Sequence, residues 1–524
     1  MTNTPTSNEG GVLLDGDTLR LEQVIEVARG FKQVGLTPRA KERMTKSRDL
    51  VEQWVAENKV IYGITTGFGS LQNKVIPTEK IEQLQENIIL SHAAGVGDPL
   101  PEEAVRAMML LRANALAKGY SGIRVEVVER LLGMLNNKVH PVIPAKGSVG
   151  SSGDLAPLAH MTLVLLGRGE AMLGGSRLNG AEAMSKAGLS PVTLEAKEGL
   201  ALTNGTQFMT ALGALALHDA ENLAKIADVA GAMSLEAFKG KSSPFISKVH
   251  QLRPFAGQVN CAKNIEALIN DSGLIDIEDK DTERKRQDSY SLRCMPQVHG
   301  ASRQAIAFVR ETLGTEINSA TDNPLILFDE DPPVSVSAGN FHGQPVALAM
   351  DFLSLAVSEL GNISERRVAK LMNPDENFGL PAYLINESGV NSGMMIAQYT
   401  AAALASENKV LIHPASGDSI PTSANQEDHN SMGSIAARQA REVIGNVKHV
   451  LAIELLCAAQ ALGIRQQHGE KPGAGTLAAY KIIRDHVSQM EKDRELYLDI
   501  KAVEALIDGG ELLRGVEQAV GPIA

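Results

Sequence analysis

The stretch "PVALAMDFLSLAVSELGNISERRVAKLMNP", residues 345–374, carries the clearest signature of fold class in this chain. Pro345 suits the first turn of a helix, where a missing N–H costs nothing, and Pro374 prevents the helix from continuing. Between them Val346, Met350, Leu353, Val357 and Leu360 recur at steps of four and three, the rhythm of one helix face. At about 1.5 Å per residue this is a rod roughly 40 Å long. Phe208 to Phe238 repeats the pattern through Leu212, Leu215, Leu223, Ile226 and Met233, and Ser434 to Ile464 is another proline-free run. Rods of this length bury their apolar stripes against one another, within a chain or between chains. The predicted architecture is all-α, a bundle of long helices.

The 524 residues are 44% hydrophobic, enough for a large core and for two or three domains. A net charge of −12 provides no basic stripe for nucleic acid or an anionic membrane surface, so small molecules or proteins are the expected partners. Cys261, Cys294 and Cys457 are odd in number and lack CxxC spacing. They point to a reducing, cytoplasmic setting and away from structural zinc; no metal is expected. The polar start "MTNTPTSNEGG" reads as a flexible leader over residues 1–20, and no run of the ~18 apolar residues needed to span a bilayer is expected.

Chemistry-bearing motifs fall where helices begin or end: "YGITTGFGS" (62–70), "LSHAAGVG" (90–97), "KGSVGSSGDLAPLAH" (146–160), "LTNGTQ" (202–207), "QDSYSLRCMPQVHG" (287–300), "AGNFHGQPVA" (338–347) and "SANQEDHNSM" (423–432). Loops on a rigid scaffold commonly carry function. In the 146–160 stretch, Gly153 lacks a Cβ, so its nitrogen can approach a carbonyl carbon closely, and Ser152 has a hydroxyl that can leave as water. Asp154 is a good N-cap for a helix starting near Leu155, with Pro157 in its first turn. That helix end favours anionic character beside the loop. Alone, a Gly/Ser loop capping a helix is an ordinary structure, so the weight rests on the motifs together.

Together, and in this order from about Leu21 to the C-terminal helices, these motifs resemble the ammonia-lyases and aminomutases that build a 4-methylidene-imidazol-5-one (MIO) electrophile from their own backbone. The resemblance implies that the cofactor forms from Ser151-Ser152-Gly153, with none added from outside. The Gly153 nitrogen attacks the Ser151 carbonyl carbon, and Ser152 loses its hydroxyl. Where the family usually has alanine this chain has Ser151, with a hydroxymethyl substituent or a competing dehydration as the two outcomes there. By the same resemblance Tyr62 is the candidate base on a lid, Asn204 contacts the MIO and the substrate amino group, and Arg293 binds the substrate carboxylate with its planar fork. Tyr290, Gln287, Asn340 and Phe341 match residues that line the pocket, and Asp154 matches an acid implicated in the cyclisation. An internal electrophile answers a real difficulty: the β-proton is weakly acidic and the amino group leaves poorly.

Ser91-His92 and Glu427 match the histidine-specific members of the family. A carboxylate and a second imidazole suit the two polar edges of an imidazole, and would be left unpaired against a phenyl ring at roughly 1–3 kcal/mol each. Thr65 and Leu455 depart from the histidine-specific pattern. The implied reaction is non-oxidative deamination of an aromatic L-amino acid, L-histidine to trans-urocanate first. A phenylalanine or tyrosine ammonia-lyase, a 2,3-aminomutase and a catalytically dead helical scaffold are the alternatives. No "GSSxMPxK"-like loop of the fumarase type is present. The resemblance further implies a homotetramer with pockets shared by three chains, and a division at about residue 215 between an N-terminal domain carrying the loop and lid (21–215) and a helical bundle (216–524).

Overall fold

A computed structural model of the chain describes residues 10–67, 69, 73–277 and 287–524. It is all-α in character. The three rods read from the sequence are the helices Gln207–Ala237, Gln344–Met372 and Gly433–Gln467. Val346, Met350, Leu353, Val357 and Leu360 of the second are fully buried, as their spacing requires. Strands among the described residues are short; the parallel pair Val12–Leu14 with Val34–Leu36 and the hairpin Glu170–Leu173 with Ser176–Asn179 are typical.

Two expectations need correction. Residues 1–9 of the anticipated leader lie outside the described residues, but the rest of it is structured. Val12 and Leu14 are buried in their strand, and Leu19 N–H donates to Asn318 Oδ1 at 2.9 Å. The alternation of buried and exposed side chains in Val12–Leu14 is the signal that the polar flanks obscured. Likewise Gln344–Met372 and Gly433–Gln467 are each long and apolar enough, by length and composition, to cross a membrane. Most of each apolar window is buried inside the protein, which accounts for its composition.

The chain separates into two compact units. One comprises Met1–His218, Val309–Asp351 and Pro414–Arg438; the other comprises Asp219–Phe308, Phe352–His413 and Gln439–Ala524. The first break lies close to residue 215, but the chain returns to the first unit twice. Several breaks fall inside the long helices, so no linker marks them in the sequence.

Within the first unit, Ile81–His92, Leu155–Leu165 and Glu198–Thr203 pack on one another and frame the site. The neighbouring Glu102–Ala117 is buried almost throughout, and its Arg112 guanidinium, held by Gln207 Oε1 (2.8 Å) and the carbonyls of Thr321 (3.1 Å) and Ala201, braces the segment around Gly205. In the second unit, Glu454 is fully buried and bidentate with Arg367, and its oxygens also accept from Ser234 and Ser364 at 2.6 Å. With every lone pair engaged, the pair avoids the cost of an uncompensated buried charge.

Candidate active site

Loop 148–154 is where the first unit brings its helices to a focus. Leu155–Leu165 starts directly after Asp154. Met209, in the first turn of Gln207–Ala237, donates its N–H to Asp154 Oδ2 at 3.0 Å. Gly343 N–H, just before Gln344–Met372, donates to the Gly150 carbonyl at 3.0 Å. At the start of Gly433–Gln467, Met432 N–H reaches the Val149 carbonyl (2.9 Å) and Ser434 Oγ the Ser148 carbonyl (2.6 Å). Four helix N-termini therefore surround one loop, and each contributes partial positive charge to it. All four helices were legible in the sequence, but only the one at Leu155 adjoins the loop in the chain; that the other three start there was not.

The loop itself is held in a conformation that only its residues permit. Gly150 and Gly153 have φ of +73° and +74°, and Ser152, with a Cβ, is also left-handed at +54°. A Cβ on Gly153 would collide with the backbone N and O of Gly205. That close approach is fixed by a bridge between Gly153 and Gly205 and by Asp154 N–H donating to the Gly205 carbonyl at 2.6 Å. Asp154 stands at the N-cap position, yet its side chain does not cap. Its oxygens accept instead from Ser148 Oγ (2.8 Å) and Met209 N–H, because the loop turns the carboxyl inward. Complete burial pushes the Asp154 carboxyl up to about 7 despite these hydrogen bonds, with the Glu316 charge adding to the rise.

Against the loop lies a cavity of about 620 Å³ lined by Tyr62, Ser91, His92, Ser152, Asn204 and Glu427 among others. These six are residues the sequence singled out, drawn from five separate segments. Ser152 Oγ donates to Glu427 Oε1 at 2.8 Å, and Thr422 Oγ1 donates to Glu427 Oε2 at 2.8 Å. His92, ending Ile81–His92, has Nδ1 3.0 Å from Ser91 Oγ. Burial lowers its pKa, with a hydrogen bond to the Ile88 backbone and the nearby Glu427 charge opposing. Asn204 ends Glu198–Thr203, and its Oδ1 is buried with no hydrogen-bond partner. Such an orphaned acceptor facing a cavity is suited to a donor brought by a ligand. Tyr62 accepts a hydrogen bond from Gly69 N–H at 3.3 Å, and the two arms of its loop meet where Thr66 bridges Val75.

The remaining expected residues lie elsewhere. Gln287 and Arg293 line a separate cavity of about 310 Å³ in the second unit, where Arg293 Nε donates to the Asp288 carbonyl at 3.0 Å and the guanidinium sits over the Tyr290 ring. Tyr290 is 70% exposed. Asn340 is exposed and Phe341 half-buried in the turn before Gln344, and neither lines the 620 Å³ cavity. Ser151 is buried beneath the loop rather than in the cavity. Conversely, Lys74, Asn87 and Ser423 line the cavity and were missed. The spacing of Leu84, Asn87, Ile88 and Ser91 along one helix face was a usable signal for Asn87, and Ser423 opens the 423–432 motif; nothing local marked Lys74.

An all-α chain with a left-handed loop held at four helix N-termini matches the architecture of the ammonia-lyases and aminomutases. The chain belongs to the aromatic amino acid lyase family, whose sequence model matches residues 19–485. It is 55% identical over 509 residues to a histidine ammonia-lyase of Alkaliphilus oremlandii, covering 97% of this chain and 99% of that protein. It is 56% identical to one of Caldanaerobacter subterraneus subsp. tengcongensis, covering 96% and 97%. Among solved structures, histidine ammonia-lyase from Trypanosoma cruzi superposes with a TM-score of 0.90 at 42% identity, covering 97% of this chain and 95% of that one. Tyrosine aminomutase from Streptomyces globisporus superposes at 0.93 with 37% identity, covering 98% and 100%.

Proposed function

We propose that the chain deaminates L-histidine to trans-urocanate and ammonia, using an MIO group formed from Ser151-Ser152-Gly153. The observation that carries the reading is the meeting of Ser152, His92 and Glu427 in one cavity, with the Glu427 carboxylate 2.8 Å from Ser152 Oγ. The loop fits such a group. Gly153 has the positive φ and the absence of a Cβ that close backbone approach needs, and the orphaned Asn204 Oδ1 lines the same cavity.

When formed, the group supplies an electrophilic carbon that takes up the substrate amino group and turns it into a leaving group. This chain's side chains do the rest. Glu427 accepts the substrate ring N–H. Ser91 Oγ donates to the Ile88 carbonyl at 3.2 Å and so accepts from His92 Nδ1, which leaves His92 Nε2 as an acceptor for an N–H of the substrate. Asn204 Oδ1 accepts from the substrate ammonium, and the Tyr62 hydroxyl takes the β-proton. Asp154, poised at about 7, takes and returns a proton at neutral pH during closure of the loop.

Arg293, Tyr290, Gln287, Asn340 and Phe341 act in this reading from neighbouring copies in a homotetramer. The exposure of Tyr290 and of Phe308, Phe352 and Leu355 supports that, since large apolar side chains in water favour association. The net charge and the free cysteines fit a cytoplasmic enzyme with a small-molecule substrate and no nucleic-acid partner.

Ultraviolet absorbance of the purified protein with L-histidine, L-tyrosine and L-phenylalanine tests the reading. Urocanate from histidine alone is expected; coumarate or cinnamate instead refutes the assignment of Glu427 and His92. The likeness to tyrosine aminomutase makes a β-amino acid product the second outcome to assay, by chromatography of the same mixtures.

A further inference from the structure

We propose that Ser151 keeps its hydroxyl when the loop matures, and that this hydroxyl clamps the matured loop to the two segments that carry Asn340, Phe341 and Glu427. The inference rests on the reading of Ser151-Ser152-Gly153 as a self-processing loop. It concerns the residue at which this chain departs from the alanine of its family's motif.

The two adjacent serines stand in opposite surroundings. Ser152 lines the 620 Å³ cavity, and its Oγ donates to Glu427, so water leaving it enters open space. Ser151 is 3% exposed and does not line the cavity. Its Oγ accepts from Ser431 N–H at 3.0 Å and lies 3.2 Å from His342 Nε2. The tautomer of His342 follows from its other neighbours. Gln344 N–H donates to Nδ1 at 3.3 Å, and Nε2 is also 3.2 Å from the His429 carbonyl, which can only accept. Nε2 therefore carries the proton and is shared between His429 O and Ser151 Oγ. His342 is further stacked on His429, with ring centroids 5.7 Å apart. Ser431 holds the loop a second time, through its own Oγ donating to the Gly150 carbonyl at 2.7 Å. Ser151 Oγ thus joins the 339–343 turn and the 427–431 segment at one buried point.

In the processing step a bond forms between Gly153 N and the Ser151 carbonyl carbon. The carbonyl oxygen leaves as water with the protons of the Gly153 and Ser152 amide nitrogens. Ser152 then loses its Cα proton and its Oγ as a second water, forming the exocyclic double bond, with no oxidant or reductant required. Loss of a third water from Ser151 would strip the buried Ser431 N–H of its acceptor, leave His342 Nε2–H to the His429 carbonyl alone, and release water away from the 620 Å³ cavity.

The test is the mass of the loop peptide from the purified wild-type protein and from Ser151→Ala, together with hydrogen exchange at the Ser431 amide. Both chains should lose two waters, and the wild-type peptide should stay heavier by one oxygen. The Ser431 amide should exchange at least tenfold faster in Ser151→Ala and return toward the wild-type rate in Ser151→Thr, which restores a hydroxyl. Loss of three waters from the wild type overturns the inference, as does unchanged exchange at Ser431. Loss of none overturns the self-processing reading itself, and the inference with it.

Discussion

Asp154→Asn isolates the electrostatics of the loop. The Asp154 carboxyl is fully buried and pushed from an ordinary value of 3.8 up to about 7. Between those values the folded chain holds a proton that the unfolded chain releases. Stability attributable to this group is therefore greatest below about pH 4, falls as pH rises toward 7, and is level above it. A difference of about three units corresponds to about 4 kcal/mol across that window, an upper figure because relaxation around the charge reduces it. Asparagine keeps an acceptor for Ser148 Oγ or Met209 N–H but cannot ionise, so the variant lacks this slope. Denaturant unfolding followed by circular dichroism from pH 4 to 8 should show the variant gaining on the wild type by up to about 4 kcal/mol as pH rises. Glu236, likewise pushed up to about 7 by burial, is common to both chains and cancels in the difference, whereas Glu316, also raised by burial, interacts with the Asp154 charge and contributes to it. A stability difference that stays constant with pH would refute the reasoning.

Glu427→Gln removes a charged acceptor worth about 1.5–3 kcal/mol, so kcat/KM for histidine should fall roughly 10- to 150-fold with little change for tyrosine or phenylalanine; equal losses on all three substrates would sink the imidazole-recognition argument. Gly153→Ala drives a Cβ into the backbone of Gly205 at a φ of +74°, so the loop peptide should retain both waters and the chain should lose about 1–3 kcal/mol in denaturant unfolding; normal processing in mass spectrometry counts against the close-approach argument. If copies of the chain complete each pocket, light scattering coupled to the urocanate assay should place all activity in a species larger than 55.8 kDa, and an active species of monomer mass would exclude it.

Much of the site was legible because its residues sit in local contexts with their own signatures. Tyr62 lies among glycines, Ser91-His92 ends a helix, Ser152 stands between Ser151 and Gly153, and Asn204 falls at a helix junction. What escaped is what depends on residues distant in sequence. Asp154 looked like a helix cap, yet its carboxyl is claimed by Met209, fifty-five positions away. Lys74 and Ser423 enter the cavity through loop paths that no periodicity encodes.

The long helices belong to the sequence alone. Val346 through Leu360 lie on one face whatever surrounds them, because the period of 3.6 residues is a property of the backbone, and Pro345 and Pro374 bound that helix by their own geometry. The convergence of four helix N-termini on loop 148–154, the collision that reserves position 153 for glycine, and the rise of Asp154 to about 7 came only with packing. Each depends on which atoms approach one another and on how much water they exclude, and those quantities arise when segments far apart in the chain share one interior.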